Sequence, residues 1–203
     1  MRAYYLSFNQ ALLKRSFDFF FAFVGLSLAG PVIGITWLLA TIDTQSNGFF
    51  FQKRVGRKGR LFNVVKIKTM KPMESLTTTV TTSSDPRITF TGAIFRKLKL
   101  DELPQLWNVL IGDMSFVGPR PDVSGFADRL KGKERAILSI RPGMTGPATL
   151  KYRDEEELLA EQTDYERYNL DVIWPDKVQI NLDYIRNWTL IGDIRYILLT
   201  VFH

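Results

Sequence analysis

The sequence predicts an α+β fold that is mostly helical, with a re-entrant membrane helix, a small β-hairpin and amphipathic helices at the membrane interface. Three observations lead to this prediction: a long apolar run near the N-terminus, two β-rich runs around a basic turn, and helical spacing of apolar residues near the C-terminus. A chain of 203 residues is large enough to bury one core. We expect the membrane-dipping helix within residues 1–45 and a second domain, at the membrane interface, within residues 46–203.

The apolar run extends from Phe17 to Ile42 and carries one charge, Asp18. As an unbroken helix it would reach about 39 Å, which is enough to cross a hydrocarbon core of roughly 30 Å. A secretory signal is an alternative, but the run is too long and no clean cleavage site ends it. Because Pro31 follows Gly30 near the middle and removes a backbone N–H, we expect the helix to break there. Each arm would then reach roughly 20 Å, too short to cross alone.

Basic residues flank the apolar run on both sides. They are Arg2, Lys14 and Arg15 before it, and Lys53, Arg54, Arg57, Lys58 and Arg60 after it. A single span usually shows more Lys and Arg on its cytoplasmic side, whereas basic residues at both ends fit a re-entrant hairpin in the cytoplasmic leaflet. A spanning helix kinked at Pro31 stays open as the alternative.

The remaining elements follow in chain order. The segment FFFQKRVGRKGRLFNVVKIKTM, from Phe49 to Met70, predicts a hairpin with Lys66 and Lys68 on one face of its second strand. Residues 75–92 are rich in hydroxyls and predict a loop, and helical patterns resume near Ala93 and after Asp101. Apolar residues recur at helical spacing near the C-terminus, at Leu190, Ile191, Ile194, Ile197, Leu198 and Val201. This last helix lies either in the membrane interface or against the core.

Composition excludes several kinds of chemistry. The chain has no cysteine and a single histidine, His203, which excludes disulfides, thiolate metal sites and histidine acid–base catalysis. Carboxylates must therefore do any acid, base or nucleophilic work. The net charge of +6 predicts an anionic partner, either nucleic acid, a phosphorylated metabolite or an acidic lipid surface.

The adjacent acids Asp101 and Glu102 have two interpretations. Asp101 could simply cap the following helix, where Pro104 is acceptable in the first turn. Alternatively, one carboxylate could attack an electrophile while the other binds a divalent cation that neutralises phosphate oxygens. The sequence also supplies the cations that a diphosphate would need: Lys66, Lys68, Arg96, Arg120, Arg141 and Arg153.

Three motifs then resemble a known family. They are KIKTM from Lys66, DELPQLWNVLIGDMSFVGPRP from Asp101, and RPGMTGPA from Arg141. In this order they resemble the bacterial sugar transferase family, the monotopic phosphoglycosyl transferases. The resemblance implies transfer of a sugar 1-phosphate from a UDP-sugar to undecaprenyl or another polyprenyl phosphate, with release of UMP. It places this first membrane step of glycoconjugate and polysaccharide assembly on the cytoplasmic face of the bacterial inner membrane.

The resemblance also implies residue roles. Asp101 would be the nucleophile that forms a covalent phosphosugar intermediate, and Glu102 would help to bind Mg²⁺, the expected cofactor. Arg120, between Pro119 and Pro121, would lie near the diphosphate. Further substrate-binding residues, matched with less specificity, are Lys66, Lys68, Arg96 and Arg153.

The family's re-entrant helix commonly breaks at a Ser-Pro pair, whereas this chain has Gly30 and Pro31. Larger members add four spanning helices and a soluble domain, so we expect this chain to be the minimal form. A different class of function is a non-catalytic basic scaffold that binds anionic membrane lipid. Nucleic acid is not expected as a partner, since the chain has an apolar N-terminal segment and no basic aromatic stripe. The sequence does not identify the sugar, and it leaves a homo-oligomer open.

Overall fold

The computed structural model describes residues 4–71 and 85–202, in which helices predominate. The helices are α1 (Phe8–Thr44), α2 (Phe90–Lys97), α3 (Gln105–Ile111), α4 (Pro147–Lys151), α5 (Glu155–Ala160), α6 (Tyr165–Tyr168), α7 (Trp174–Arg186) and α8 (Leu190–Val201). The strands are β1 (Phe49–Val55), β2 (Leu61–Ile67), β3 (Ser115–Val117) and β4 (Gly143–Thr145). The prediction of a mostly helical chain with a small sheet is confirmed.

Helix α1 contains the apolar run and is long and apolar enough to cross a membrane. Only 11% of its most apolar window of 18 residues is buried within the protein. Large side chains are exposed along it, with Phe19 52%, Leu28 76% and Ile35 60% accessible. An apolar helix that the protein does not cover is typical of a segment in contact with lipid.

The expected interruption of the helix at Gly30 and Pro31 is wrong, because α1 continues through Pro31 to Thr44, whereas a bend that returns the chain to the same side of the membrane stays a prediction. Proline removes one donor at a cost of about 3 kcal/mol, and the hydrogen bonds on either side keep the helix intact. Hydroxyl side chains add further bonds to backbone carbonyls. Ser27 donates to Phe23 O at 2.9 Å, and Thr36 donates to Val32 O at 2.9 Å.

The predicted hairpin is confirmed, because β1 and β2 form a two-stranded sheet. Its turn is closed by the Gly56 N–H, which donates to Arg60 O at 2.8 Å. Lys58 adopts a left-handed conformation in this turn, with φ 60°. Lys66 lies in β2, and Lys68 follows one residue past its end.

The loop expected over residues 75–92 falls partly outside the described residues. Its last residues are helical, because α2 begins at Phe90. The Thr89 side chain accepts a hydrogen bond from the Gly92 N–H at 3.0 Å, which caps the first turn.

The described residues divide into two compact units. The first unit includes the chain up to Phe20, the hairpin tip Lys53–Phe62, and everything from Val109 onward. Parallel strands β3 and β4 pair Ser115 with Gly143 in this unit. Its two apolar clusters each contain fully or nearly buried side chains: Val55, Ala127, Ile137, Leu138, Val178 and Leu182 in one, and Val117, Ile140, Tyr184, Ile185 and Trp188 in the other.

A buried polar network connects α1 to α8 within the first unit. Lys14 Nζ lies 2.6 Å from Asp193 Oδ2, and these side chains are 7% and 1% exposed. Tyr184 Oη donates to Asp193 Oδ1 at 2.6 Å, and Trp188 Nε1 donates to Asp193 Oδ2 at 3.0 Å. Nearby on α1, Asp18 is also buried and accepts hydrogen bonds from β3. Lys14 is thus paired with Asp193, and Asp18 is hydrogen-bonded through its Oδ1 atom, inside the protein.

Helix α8 confirms the predicted C-terminal helix. Leu190 and Ile197 pack against the second cluster, so part of the apolar face covers the core. Ile191 is 80% exposed and Leu198 is 50% exposed, so another part is not covered. Its position in a membrane interface stays a prediction.

The second unit includes Phe21–Gln52 and Asn63–Asn108. Ala40, Ile67 and Phe95 form its buried cluster, which joins α1, β2 and α2. Gly92 allows close packing here, since a Cβ atom at this position would lie 2.2 Å from Thr69 O. This packing places the end of β2 beside α2 and the turn that follows it.

Candidate active site

The acidic pair lies in a short 3₁₀ turn, Leu100–Glu102, between α2 and α3. Lys99 enters this turn in a left-handed conformation with φ 56°. Lys99, at the start of this turn, makes no side-chain cap hydrogen bond, and α3 begins only at Gln105. The capping interpretation of Asp101 is therefore not supported.

The Asp101 carboxylate is half-buried, and its Oδ1 atom is buried without a hydrogen-bond partner among residues 4–71 and 85–202. Burial raises the pKa of Asp101, and repulsion from Glu102 raises it further. Lys66, Arg96 and Lys99 act in the opposite direction and lower the pKa. An unsatisfied, partly desolvated carboxylate beside several cations is typical of a reactive site.

Glu102 is paired with Lys66 of β2. Lys66 Nζ donates to Glu102 Oε1 at 2.9 Å, and the side chains are 25% and 26% exposed. The pair joins the end of β2 to the acidic turn. It also places a positive charge near Asp101, which lowers the pKa of that carboxyl.

Arg96 of α2 is fixed by the residues that follow β2. Its Nε donates to Thr69 Oγ1 at 2.9 Å, and one terminal nitrogen lies 3.0 Å from Met70 Sδ. Lys68 instead donates to Ser46 Oγ at 2.6 Å. The second unit therefore brings together Lys66, Arg96 and the acidic pair, whereas Lys68 bonds elsewhere.

Arg120 and Arg153 belong to the first unit. Pro119 is buried while Arg120 is exposed, so the Pro-Arg-Pro element anchors the backbone and presents the guanidinium. Beside it, burial raises the pKa of Asp122 to about 6, while Lys177, Arg54 and Arg120 lower it. Arg153 makes one long contact of 3.5 Å, from its terminal nitrogen to Leu199 O.

The acidic pair fits an Mg²⁺ ion. Among the described residues no group of three or more histidine, cysteine, aspartate and glutamate side chains could hold a metal. Mg²⁺ does not need such a group, because it commonly takes one or two carboxylates and completes its shell with water and substrate phosphates. Asp101 Oδ1 has no partner, and Glu102 lies next to it. These two carboxylates could hold the ion together with a diphosphate.

A family model for bacterial sugar transferases matches residues 9–203. The chain belongs to the bacterial sugar transferase family. It matches the UDP-glucose:undecaprenyl-phosphate glucose-1-phosphate transferase of Escherichia coli, strain K12, with 34% identity over 97% of this chain and 41% of that relative. It matches the undecaprenyl-phosphate galactose phosphotransferase of Salmonella typhimurium with 34% identity over 92% of this chain and 39% of that relative.

A shorter relative is covered over most of its length. The chain matches the exopolysaccharide production protein ExoY of Rhizobium meliloti with 31% identity. The match covers 94% of this chain and 84% of ExoY. The chain thus spans less than half of the two enteric relatives and most of ExoY.

Asn108 is a further residue that supports the site, and the sequence analysis does not predict this role. Asn108 is 1% exposed; its Oδ1 accepts from the Val65 N–H at 3.0 Å, and its Nδ2 donates to Asn63 O at 2.8 Å. It therefore attaches α3, which follows the acidic turn, to β2, which carries Lys66. The available signal was a polar residue inside the apolar run LWNVLI.

Proposed function

We propose that this protein transfers a sugar 1-phosphate from a UDP-sugar to undecaprenyl phosphate and releases UMP. The observation that carries the proposal is Asp101, whose buried carboxylate oxygen neither caps a helix nor makes a hydrogen bond among the described residues. A carboxylate that served only the fold would be expected to use its oxygens in hydrogen bonds. The names of the relatives, which include undecaprenyl-phosphate sugar phosphate transferases, support the same reaction.

The reaction proceeds in two steps. An oxygen of Asp101 bonds to the β-phosphorus of the UDP-sugar while the bond to the bridging oxygen breaks, and UMP leaves with that electron pair. An oxygen of the acceptor phosphate then bonds to the same phosphorus. The bond to Asp101 breaks, and its carboxylate is restored. The water-soluble donor and the lipid acceptor can therefore react at different times.

The surrounding side chains prepare Asp101 for this role. Lys66 and Arg96 oppose the rise in its pKa, which keeps more of the carboxylate ionised, and burial removes the water that would weaken its attack. Mg²⁺, bound through Glu102 and the donor phosphates, would neutralise phosphate charge. Arg120, Arg153 and Lys68 are proposed to contact the substrates, since guanidinium and ammonium groups bind phosphate oxygens.

Replacement of Asp101 by Asn tests the nucleophile. Because burial raises the pKa of Asp101, its ionised form is less stable in the folded protein than in the unfolded chain, so replacement of the carboxylate by an uncharged amide should not destabilise the fold. We expect sugar phosphate transfer to be abolished while the melting temperature is kept or raised. The control is Asp171→Asn, which removes a carboxylate from an exposed ion pair with Arg167.

Intact mass spectrometry tests the covalent step. The wild-type protein mixed with UDP-sugars and Mg²⁺, without acceptor, should gain one sugar phosphate and release no more UMP than there is enzyme. Added undecaprenyl phosphate should remove the adduct. An enzyme that turns over without this adduct would exclude the two-step route. Near-normal transfer by Asp101→Asn would exclude Asp101 as nucleophile.

The proposed site faces the cytoplasm at the bacterial inner membrane. Both ends of the apolar run would lie on that side, which requires the continuous helix α1 to bend at Pro31, as proline allows within a helix, rather than to end there. Exposed positions before and after the apolar run can be compared because the chain has no cysteine. In cells, Asn9→Cys and Lys53→Cys should both resist an impermeant thiol reagent applied from outside. Labelling of Asn9→Cys alone would instead establish a spanning helix.

A further inference from the structure

A basic cavity lies at the tip of the β1–β2 hairpin, within the first unit. Its volume is about 320 Å³, and four cationic side chains line it: Arg57, Lys58, Arg60 and Arg141. Asp113 is the only carboxylate among its lining residues. This volume is at the lower end of the range for small-molecule sites. Of the four cations only Arg141 is among those that the sequence supplies for a diphosphate, and the proposed transfer site uses none of the four.

Two of the arginines are fixed by the backbone in a way that leaves donors available. Arg57 Nε donates to Ser139 O at 2.9 Å, and Arg141 Nε donates to Gly112 O at 2.7 Å. Within residues 4–71 and 85–202, the terminal nitrogens of both guanidinium groups make no hydrogen bond. Each arginine is thus held at one nitrogen and presents a fork of donors, the geometry that suits phosphate oxygens.

The backbone of the turn is also constrained. Lys58 has φ 60° and Gly59 has φ +79°, both in the left-handed region. A Cβ atom at Gly56 would lie 2.9 Å from the Phe62 ring, so the turn packs tightly against the start of β2. A left-handed lysine is disfavoured and persists where the surrounding structure fixes it. The cations at the tip are therefore presented by an ordered turn.

The cavity concentrates positive charge. The pKa of Arg141 is lowered first by burial and then by repulsion from Arg15 and Arg57, while Asp18 and Asp113 act in the opposite direction. Arg15 already uses its terminal nitrogens for the carbonyls of Val109 and Leu110, at 2.7 Å each. The like charges around Arg141 repel one another, and an anion in the cavity would offset that repulsion.

We propose that this cavity binds a phosphate group through the terminal nitrogens of Arg57 and Arg141, with Lys58 and Arg60 adding positive charge. The group could belong to an anionic phospholipid or to a soluble phosphate compound. Leu61 lines the cavity and is 56% exposed, so an apolar portion of the ligand would find contact beside the cations.

Binding measurements on the full chain test the site without using the transfer reaction. One arm titrates inorganic phosphate and pyrophosphate into the detergent-solubilised protein at constant ionic strength, with chloride as reference. The other arm measures sedimentation with phosphatidylcholine vesicles that contain phosphatidylglycerol, compared with vesicles of phosphatidylcholine alone. The variants are Arg57→Gln with Arg141→Gln, and Lys58→Gln with Arg60→Gln.

A charge-matched control separates the cavity from general attraction of a basic protein to anions. The double variant Lys131→Gln with Lys133→Gln removes two exposed charges of the same unit that do not line the cavity. Nonspecific binding would fall equally in this control and in the cavity variants. The Lys58 and Arg60 side chains donate no hydrogen bond within the described residues, so their variant should fold normally and keep its melting temperature.

We expect the arginine double variant to bind phosphate or anionic vesicles about tenfold more weakly than wild type in at least one arm, because it loses hydrogen bonds between charged groups. The lysine–arginine variant should weaken binding in that same arm, and the control should not. Loss in the phosphate arm identifies a soluble ligand, and loss confined to the vesicle arm identifies a lipid headgroup. Unchanged binding in both arms, or an equal loss in the control, would overturn the proposal.

Discussion

Replacing Asn108 by Ala should weaken the second unit at the junction between α3 and β2. The substitution removes two hydrogen bonds, from the Val65 N–H at 3.0 Å and to Asn63 O at 2.8 Å. Each bond contributes about 1 kcal/mol, and each buried group left without a partner costs about 1–3 kcal/mol. Because these contributions overlap, we expect a loss of about 2–4 kcal/mol in the free energy of unfolding.

For a chain of this length, about 1 kcal/mol corresponds to roughly 2–4 °C in the melting temperature, so Asn108→Ala should melt roughly 4–16 °C lower. Hydrogen exchange measured at the Val65 amide gives the local effect, and this amide should lose protection more than the rest of β2. Asn63→Ala is the matched control, because its exposed side chain is lost while its backbone carbonyl stays. A change below about 1 kcal/mol, or an equal loss in the control, would refute this account of Asn108.

Two further predictions concern charges. The pKa of Asp101 is raised above its ordinary value of about 3.9, and only the carboxylate can attack, so kcat/KM should fall with acid at a pH above that value. Lys66→Met removes a cation that lowers this pKa and should move the acid limb to higher pH. Asp193→Asn should destabilise the protein by about 3–5 kcal/mol in denaturant unfolding, because it leaves Lys14 buried without its negative partner.

Matched controls separate these effects from a general change of charge. Lys97→Met removes an exposed cation of α2 that does not contribute to the pKa shift of Asp101, so the acid limb should not move. Asp183→Asn removes a half-exposed carboxylate of α7 and should change stability by less than about 1 kcal/mol. An acid limb that stays in place in Lys66→Met would contradict the proposed electrostatics. A mild effect of Asp193→Asn would show that the buried pair contributes little.

Local sequence patterns were sufficient for several elements. The hairpin follows from two β-rich runs around Gly56, and α8 follows from apolar residues at helical spacing. The hairpin and α8 both depend on contacts between residues that are close in the sequence. The predicted interruption at Pro31 is wrong because the loss of one donor is outweighed by the many hydrogen bonds that remain in a 37-residue helix.

The role of Asp101 could not be decided from its position in the sequence alone. Its identity fits a cap, but a cap must stand directly before the first helical turn, and α3 starts at Gln105. Pro104 favours the first position of a helix, which places the cap position after Asp101. The unpaired oxygen and the contact between Lys66 and Glu102 depend on residues far apart in sequence, which only the fold brings together.

The contact between Lys14 and Asp193 also has a consequence for synthesis of the chain. The two residues are separated by 179 positions. At about 5–20 residues per second, a ribosome needs roughly 9–36 s to make the second residue after the first. During that interval α1 can already enter a bilayer, but Lys14 has no counter-charge and must stay in contact with water or lipid headgroups. Completion of α8 then allows the N-terminal end of α1 to become buried, so a segment synthesised late fixes one synthesised early.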